Sequence, residues 1–200
     1  MWGPASVKSL NGHYYMAAWI DDATRQTKLY FQDEKSQTFN SYKKDEAYIE
    51  TQTGNHIKTS CADRWGEFML KELLDHQDMK GTKREFTVYD LPPQNGVSKR
   101  GMRTRAEQAC ALLLASGLPR FLWEEAMKHS AWLQDQTPAS TLKRKTQYKM
   151  GNKRKPNLGG IQEFGAAAYI KDLMAGKLNA RAKKGHFVGY DSESKGYRVY

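Results

Sequence analysis

The amino-acid sequence predicts a mixed α/β domain followed by a small β module. Strand-like and helix-like segments alternate over residues 13–134 in the order strand, strand, helix, strand, helix, strand, helix, helix, which is typical of an α/β domain. A basic stretch without acidic residues extends from Gln136 to Gln162, and short β-like runs separated by Gly and Lys follow it. We therefore expect an α/β domain over residues 1–136, a basic linker over 137–163 and a β module over 164–200.

The first predicted elements are a β-hairpin and an amphipathic helix. Aromatic and β-branched residues fill segments 13–20 and 28–31, which are separated by the polar turn sequence DDATRQT. This pattern is typical of a hairpin. Apolar residues then recur at helical spacing between residues 36 and 53, and Gly54 follows as a stop signal.

Further strand and helix patterns lead to two longer helices. Strand patterns at residues 56–62 and 84–88 flank a helical pattern at 67–79. A longer helix comes next, and a second one covers residues 121–134, in which Trp123 is expected to lie in the core together with Trp132. One face of the first of these two helices is predicted to be apolar, and its members are Met102, Ala106, Ala109, Cys110 and Leu113.

The composition is that of a folded protein without membrane spans. Hydrophobic residues make up 39% of the 200 residues and aromatic residues 12%, enough for a packed core. No apolar run approaches the roughly 18 residues of a membrane helix, and the amino terminus lacks the pattern of a signal peptide. The two cysteines, Cys61 and Cys110, have no CxxC partner, and the five histidines are scattered. We expect reduced, buried thiols in an intracellular protein and no structural zinc site.

The charge predicts a polyanionic partner. The net charge is +10, which favours nucleic acid. Two clusters carry much of it: the start of the first long helix, with Lys99, Arg100, Arg103 and Arg105, and the linker, with Lys143, Arg144, Lys145, Lys149, Lys153, Arg154 and Lys155. The plainer alternatives are a solvated helix end and a solubilising linker. Acids are usual in a first helical turn, yet between Pro92 and Glu107, where the first long helix begins, the sequence contains none.

Six sequence blocks resemble the integrases of copia-type retrotransposons, in the order of that family. They are WGP, IDDATR, the DxxGEF pattern that begins at Asp63, PPQNGVSKR, the GLP…W…EA stretch, and FVGYDSESKGYRVY. The resemblance covers essentially the whole chain. It implies an RNase H-like integrase core with a truncated first strand, followed by an SH3-like β module, and it implies DNA strand transfer as the ancestral reaction.

The resemblance also implies a Mg²⁺ site made of two Asp and one Glu, since hard oxygen ligands suit that ion. Asp63 stands at the second Asp position. The Glu position, after 35 intervening residues, holds Lys99, whose ammonium group repels a cation. The first Asp position would lie two residues before Trp2, outside the chain. We therefore expect Asp63 to be the only remaining catalytic and metal-binding carboxylate, with Mg²⁺ binding weak or lost.

Other carboxylates are not expected to restore the metal site. Asp21 and Asp22 end a predicted strand, while Glu67 and Glu107 lie on predicted helices. Turn residues and solvated helix charges are the ordinary roles of such positions.

The sequence thus leads to three hypotheses. The first is a catalytically inactive, integrase-derived protein that binds nucleic acid through the two basic clusters. The second is a domesticated, non-catalytic DNA- or RNA-binding module, and the third is a decayed element fragment without function. The resemblance further implies DNA as partner, with RNA left open, as well as nuclear localisation and homo-oligomerisation.

Overall fold

The computed structural model describes residues 1–62, 71–86, 96–176, 178–191, 194 and 196–200, and the side chains of residues 96–98 are not described. Contacts between Cα atoms divide the chain into two compact units. Unit 1 contains Met1–Asp21 and Thr27–Thr104, and unit 2 contains Asp22–Gln26 and Arg105–Tyr200. The predicted boundaries at residues 136 and 163 stay predictions.

Unit 1 begins with the predicted hairpin. Strand β1 (Tyr15–Ile20) pairs antiparallel with β2 (Thr27–Gln32). On the other edge of β1, Trp2 and Met16 exchange two backbone hydrogen bonds of 2.9 Å. A short amino-terminal segment therefore pairs with β1 at the position where the sequence predicts a truncated strand.

A helix and a parallel strand pair complete the described part of unit 1. Helix α1 (Thr38–Thr53) ends at Gly54, whose left-handed backbone lets its N–H donate to the Glu50 carbonyl. Strands β3 (Thr59–Ala62) and β4 (Lys83–Phe86) are parallel. The chain between them includes helix α2 (Lys71–Lys80), as a crossover connection requires. The predicted helix 67–79 and strand 84–88 are confirmed where the structure describes them.

Unit 1 has a core in which polar groups are paired. Met16 and Leu73 are fully buried apolar side chains. Beside them, the buried Glu46 carboxylate of α1 lies 2.6 Å from Nε2 of His76 on α2. A buried carboxylate is costly unless it has such a partner, so this contact fixes one helix against the other.

Two long helices occur as predicted. Helix α3 extends over Gly96–Ser116, and the division between the units falls within it. A 3-10 turn then leads into α4 (Trp123–Gln136). Leu122 and Ala126 are completely buried, and Trp123 lies in the core as predicted.

The segment predicted as a basic linker contains regular structure. Strands β5 (Pro138–Ala139) and β6 (Lys145–Thr146) pair antiparallel, and helix α5 (Gln147–Asn152) follows. The Thr146 hydroxyl caps α5 by accepting from the Lys149 N–H at 3.0 Å. Leu142 is buried, so the segment is anchored to unit 2 by an apolar contact.

The carboxyl-terminal part is a three-stranded antiparallel sheet in the order β7 (Ala167–Lys171), β8 (Ala182–Tyr190), β9 (Tyr197–Val199). This confirms the predicted β module. Phe187 and Val188 of β8 are buried, and the Phe187 ring meets that of His129 on α4 with 5.6 Å between centroids. The module and α4 therefore share a core.

The predicted burial of the cysteines is wrong. Cys61 and Cys110 are both exposed. Among the described side chains of α3 the buried ones are Arg105 and Ala109, so the buried face of the helix is turned away from Cys110. None of the helices among the described residues is long and apolar enough to cross a membrane.

Candidate nucleic-acid interface

The positive charge is concentrated in unit 2. Over their full sequence ranges, unit 2 has 18 Lys and Arg against 9 Asp and Glu, whereas unit 1 has 14 against 13. The net charges are therefore +9 and +1. A polyanion would be attracted mainly to unit 2.

Several acids of unit 2 are withdrawn from its surface. Glu124 and Glu125 are buried. The Nζ of Lys128 lies 2.7 Å from Glu124 Oε1, and Arg198 makes two hydrogen bonds to Glu125. Burial raises the pKa of the Asp135 carboxyl to about 7, although the nearby Arg105 guanidinium opposes the rise. Each of these three carboxyls lies beside a cation of the same unit, so the remaining side chains of unit 2 still carry its net charge of +9.

Among the described residues, a large group of exposed cations lies in residues 143–155, here called the basic segment. Its six exposed cations are Lys143, Arg144, Lys145, Lys153, Arg154 and Lys155. Within the described residues, none of these six forms a salt bridge with an acid. The Nε of Arg154 donates to the Tyr148 hydroxyl at 3.1 Å, which orients the guanidinium while its charge stays uncompensated.

Three cations of the basic segment have left-handed backbones. The φ angles are +51° at Lys143, +61° at Arg144 and +56° at Lys153. Glycine or asparagine is usual at such positions, because other L-residues pay roughly 1–2 kcal/mol there. Lys143 follows the 3-10 turn of Ser140–Leu142, and Lys153 follows α5. The basic segment thus places charge at positions where glycine would be less strained.

The first turn of α3 is basic, as the sequence predicts. Lys99, Arg100 and Arg103 are exposed, and the first turn contains no acid. The prediction for Arg105 is corrected, because its side chain is only 3% exposed. Burial lowers the pKa of its guanidinium, against the opposing charge of Asp135. A buried guanidinium near the Asp135 carboxyl is not placed to contact a phosphate.

The structure describes only part of the Mg²⁺ site that the resemblance implies. Asp63 lies outside the described residues, as does Glu67. No group of three His, Cys, Asp or Glu able to hold a metal ion occurs among the described residues. Lys99, at the position of the third carboxylate, is exposed and cationic, so the ligand set there does not fit Mg²⁺.

The alternative carboxylates take ordinary surface roles. Asp22 is exposed and lies 2.6 Å from the Arg25 guanidinium. Asp21 and Glu107 are exposed as well. None of the three is joined to a described metal-binding group.

Sequence reasoning missed the ion pair between Glu125 and Arg198 in unit 2. Glu125 and Arg198 both lie within blocks that carry the family resemblance, yet no spacing rule relates residues 73 positions apart. The signal that could have found them is the pair of acids at 124 and 125 in an otherwise apolar helical stretch, since buried acids require partners.

Comparison with known proteins supports the sequence interpretation. Residues 166–200 match the retroviral polymerase SH3-like domain. The chain is 29% identical over 200 residues to the retrovirus-related Pol polyprotein from transposon TNT 1-94 of Nicotiana tabacum, which covers 99% of the chain and 15% of that protein. It is 25% identical to the Pol polyprotein from transposon RE2 of Arabidopsis thaliana, covering 96% of the chain and 13% of the relative. The chain therefore spans about one seventh of the length of these relatives.

Solved integrase structures share the fold. The HTLV-2 integrase catalytic core domain in complex with magnesium aligns with a TM-score of 0.50 at 13% identity, over 68% of this chain and 82% of that one. An intasome of simian T-cell lymphotropic virus, in complex with the PP2A regulatory subunit B56 gamma, gives a TM-score of 0.58 at 14% identity, over 92% and 66% of the two chains. Together with the Pol polyprotein relatives and the SH3-like domain, this fold supports the identification of the chain as a fragment of a retrotransposon integrase.

Proposed function

We propose that this chain is a copia-type integrase derivative that binds DNA without catalysing strand transfer. The observation that carries the proposal is the basic segment: six exposed cations that form no salt bridge with any acid among the described residues, in a unit with a net charge of +9. Lysine and arginine in such a setting suit the phosphates of a nucleic-acid backbone.

The physical basis of this binding is the release of counterions from the nucleic acid. Each phosphate that a cation neutralises releases condensed counterions, so affinity falls as salt rises, with a slope of roughly −0.9 per contact on double-stranded DNA. Such contacts are independent of base sequence. The exposed cations Lys99, Arg100 and Arg103 of α3 are expected to add contacts of the same kind.

The proposed loss of catalysis is supported by the presence of Lys99 at the position of a metal-binding carboxylate. Phosphodiester joining through two Mg²⁺ ions needs converging carboxylates, and one of those positions holds an exposed ammonium group in this chain. The magnesium described for the HTLV-2 core belongs to that protein. We infer that binding by this chain does not depend on the metal.

The test measures the affinity for a labelled DNA duplex between about 50 and 200 mM salt. In the main variant, six cations of the basic segment are changed to Gln: Lys143, Arg144, Lys145, Lys153, Arg154 and Lys155. The matched control changes six exposed lysines of unit 1 to Gln: Lys8, Lys35, Lys43, Lys44, Lys58 and Lys71. Both variants lose the same charge, so their difference isolates the position of the cations.

The proposal predicts that the basic-segment variant loses several units of the salt slope and at least about tenfold in affinity at low salt. The control is expected to lose much less. Equal losses in the two variants would show that net charge alone attracts DNA, and the proposed interface would be wrong. Single-stranded RNA, added as competitor, is expected to displace duplex DNA only weakly, and efficient displacement would identify RNA as the partner.

A further inference from the structure

The hairpin of β7 and β8 has an apolar tip. Leu173 is 81% exposed, Met174 is 93% exposed and Leu178 is fully exposed. Large apolar side chains grouped on a surface usually mark a contact site. We use the name hairpin tip for these three described residues.

Cations flank the hairpin tip along both strands. Lys171 of β7 and Arg181, Lys183 and Lys184 at the start of β8 are exposed. Asp172 is the only acid between residues 167 and 186, and the Nζ of Lys183 lies 3.0 Å from its carboxylate. The hairpin therefore presents positive charge beside the apolar tip.

Hydrogen bonds define the conformation of the tip. The Asp172 N–H donates to the Arg181 carbonyl at 2.8 Å and extends the strand ladder. The Met174 N–H donates to Asp172 Oδ1 at 3.0 Å, and the Asn179 N–H donates to the Gly176 carbonyl at 3.0 Å. Leu173 and Met174 thus follow directly on the paired strands, at the end that projects beyond the ladder.

Cations and apolar side chains suit different parts of a duplex. Phosphates attract the cations, but they offer nothing to leucine or methionine. The faces of unstacked bases are apolar and can contact such side chains. Proteins that kink DNA insert Leu, Met or similar side chains between base steps. A two-stranded β-ribbon also fits the major groove of B-DNA, which is about 12 Å wide.

We propose that the β7–β8 hairpin is a duplex-binding arm: Lys171, Arg181 and Lys184 contact backbone phosphates, while the hairpin tip inserts between base pairs and unstacks them. This inference rests on the proposed DNA binding and adds a distortion of the duplex to it. The charge complementarity of the flanking cations selects a nucleic acid as the occupant.

The test uses the full chain and a duplex that contains 2-aminopurine, whose fluorescence rises on unstacking. The variant combines Leu173→Ser, Met174→Ser and Leu178→Ser. Its control is Leu114→Ser, at a leucine of α3 in the same unit that is 74% exposed. Affinity, salt slope and fluorescence are measured for each protein, together with binding to vesicles of phosphatidylserine and phosphatidylcholine.

We expect wild type and the control to raise the fluorescence, and the tip variant to lose that rise. The tip variant is also expected to lose about tenfold in affinity, as the removal of one or two apolar contacts implies, with an unchanged salt slope. If the tip variant binds DNA and raises the fluorescence as much as wild type does, the proposed duplex-binding arm would be wrong while the proposed function would stand. Absence of salt-sensitive DNA binding in wild type would overturn the proposed function as well, and tip-dependent binding to vesicles without unstacking would assign the tip to a membrane surface instead.

Discussion

Glu125 on α4 and Arg198 on β9 form a two-point ion pair, with 2.8 Å between Nε and Oε2 and 2.7 Å between Nη2 and Oε1. Glu125 is 2% exposed, and Lys128 lies 3.4 Å from the same carboxylate. The pair joins the last long helix to the final strand of the SH3-like domain. Because both elements share the aromatic core around His129 and Phe187, we expect α4 and the β module to unfold together.

Arg198→Ala is expected to destabilise the protein by about 2–4 kcal/mol. The substitution leaves the buried Glu125 carboxylate without its two-point partner, and breaking one side of a buried pair typically costs 3–5 kcal/mol. The lower range applies because Arg198 is partly exposed and Lys128 remains near. Urea unfolding followed by tryptophan fluorescence measures the change. Arg120→Ala, at an exposed arginine of the same unit, should change stability by less than about 0.5 kcal/mol, and equal effects of the two would contradict the structural role of the pair.

Burial of His129 predicts a loss of stability in acid. The ring lies among Trp132, Phe164, Phe187 and Tyr190, and burial lowers its pKa from 6.5 to about 4. Between those values the unfolded chain binds the proton more strongly. Stability is therefore lost as pH falls from about 6.5 to 4, by up to about 3 kcal/mol. His129→Leu should remove this contribution, which a comparison of unfolding free energies at pH 7 and pH 4.5 can detect.

Asp135 predicts the opposite slope. Its pKa is raised from 3.8 to about 7, chiefly by burial, so the folded chain binds the proton more strongly between those values. This carboxyl reduces stability as pH rises from about 4 through 7. Asp135→Asn should make the protein gain more stability with rising pH than wild type does. A variant with the same pH profile as wild type would show that the carboxyl is solvated.

Lys99→Glu tests the basic start of α3. An acid in the first turn interacts favourably with the helix dipole, by about 0.3–1 kcal/mol relative to neutral residues. We expect the substitution to raise the free energy of unfolding by about 0.5–1 kcal/mol and to weaken DNA binding. Lys99→Gln should give roughly half of each effect. If Lys99→Glu leaves both the free energy of unfolding and the DNA affinity unchanged, Lys99 neither interacts unfavourably with the helix dipole nor contacts DNA.

The fold could be predicted where periodicity is strong. The hairpin, α1, α3 and α4 follow directly from alternating or helical apolar patterns, and Gly54 marks the end of α1. The exposure of Cys110 could not be predicted, because its place on the helix depends on Arg105 turning inward. An arginine normally indicates the solvent face, whereas Arg105 is buried near the carboxyl of Asp135, which comes from α4.

The candidate site could be predicted in part. The cations of the basic segment are visible as a run without acids, and their exposure follows from that composition. The pairing of Glu125 with Arg198 could not be predicted, since it depends on the tertiary contact between α4 and β9. The exposure of the hairpin tip could not be predicted either, because leucine and methionine are residue types that usually lie in a core.

The measurement that tests the central claim most directly combines binding and joining in one sample. A labelled duplex end is incubated with target DNA, the purified chain and Mg²⁺, and bound and joined DNA are quantified separately. We predict saturable, salt-sensitive binding and no joined product. Robust Mg²⁺-dependent joining that disappears in Asp63→Ala would contradict the claim that this integrase derivative binds DNA without catalysing strand transfer.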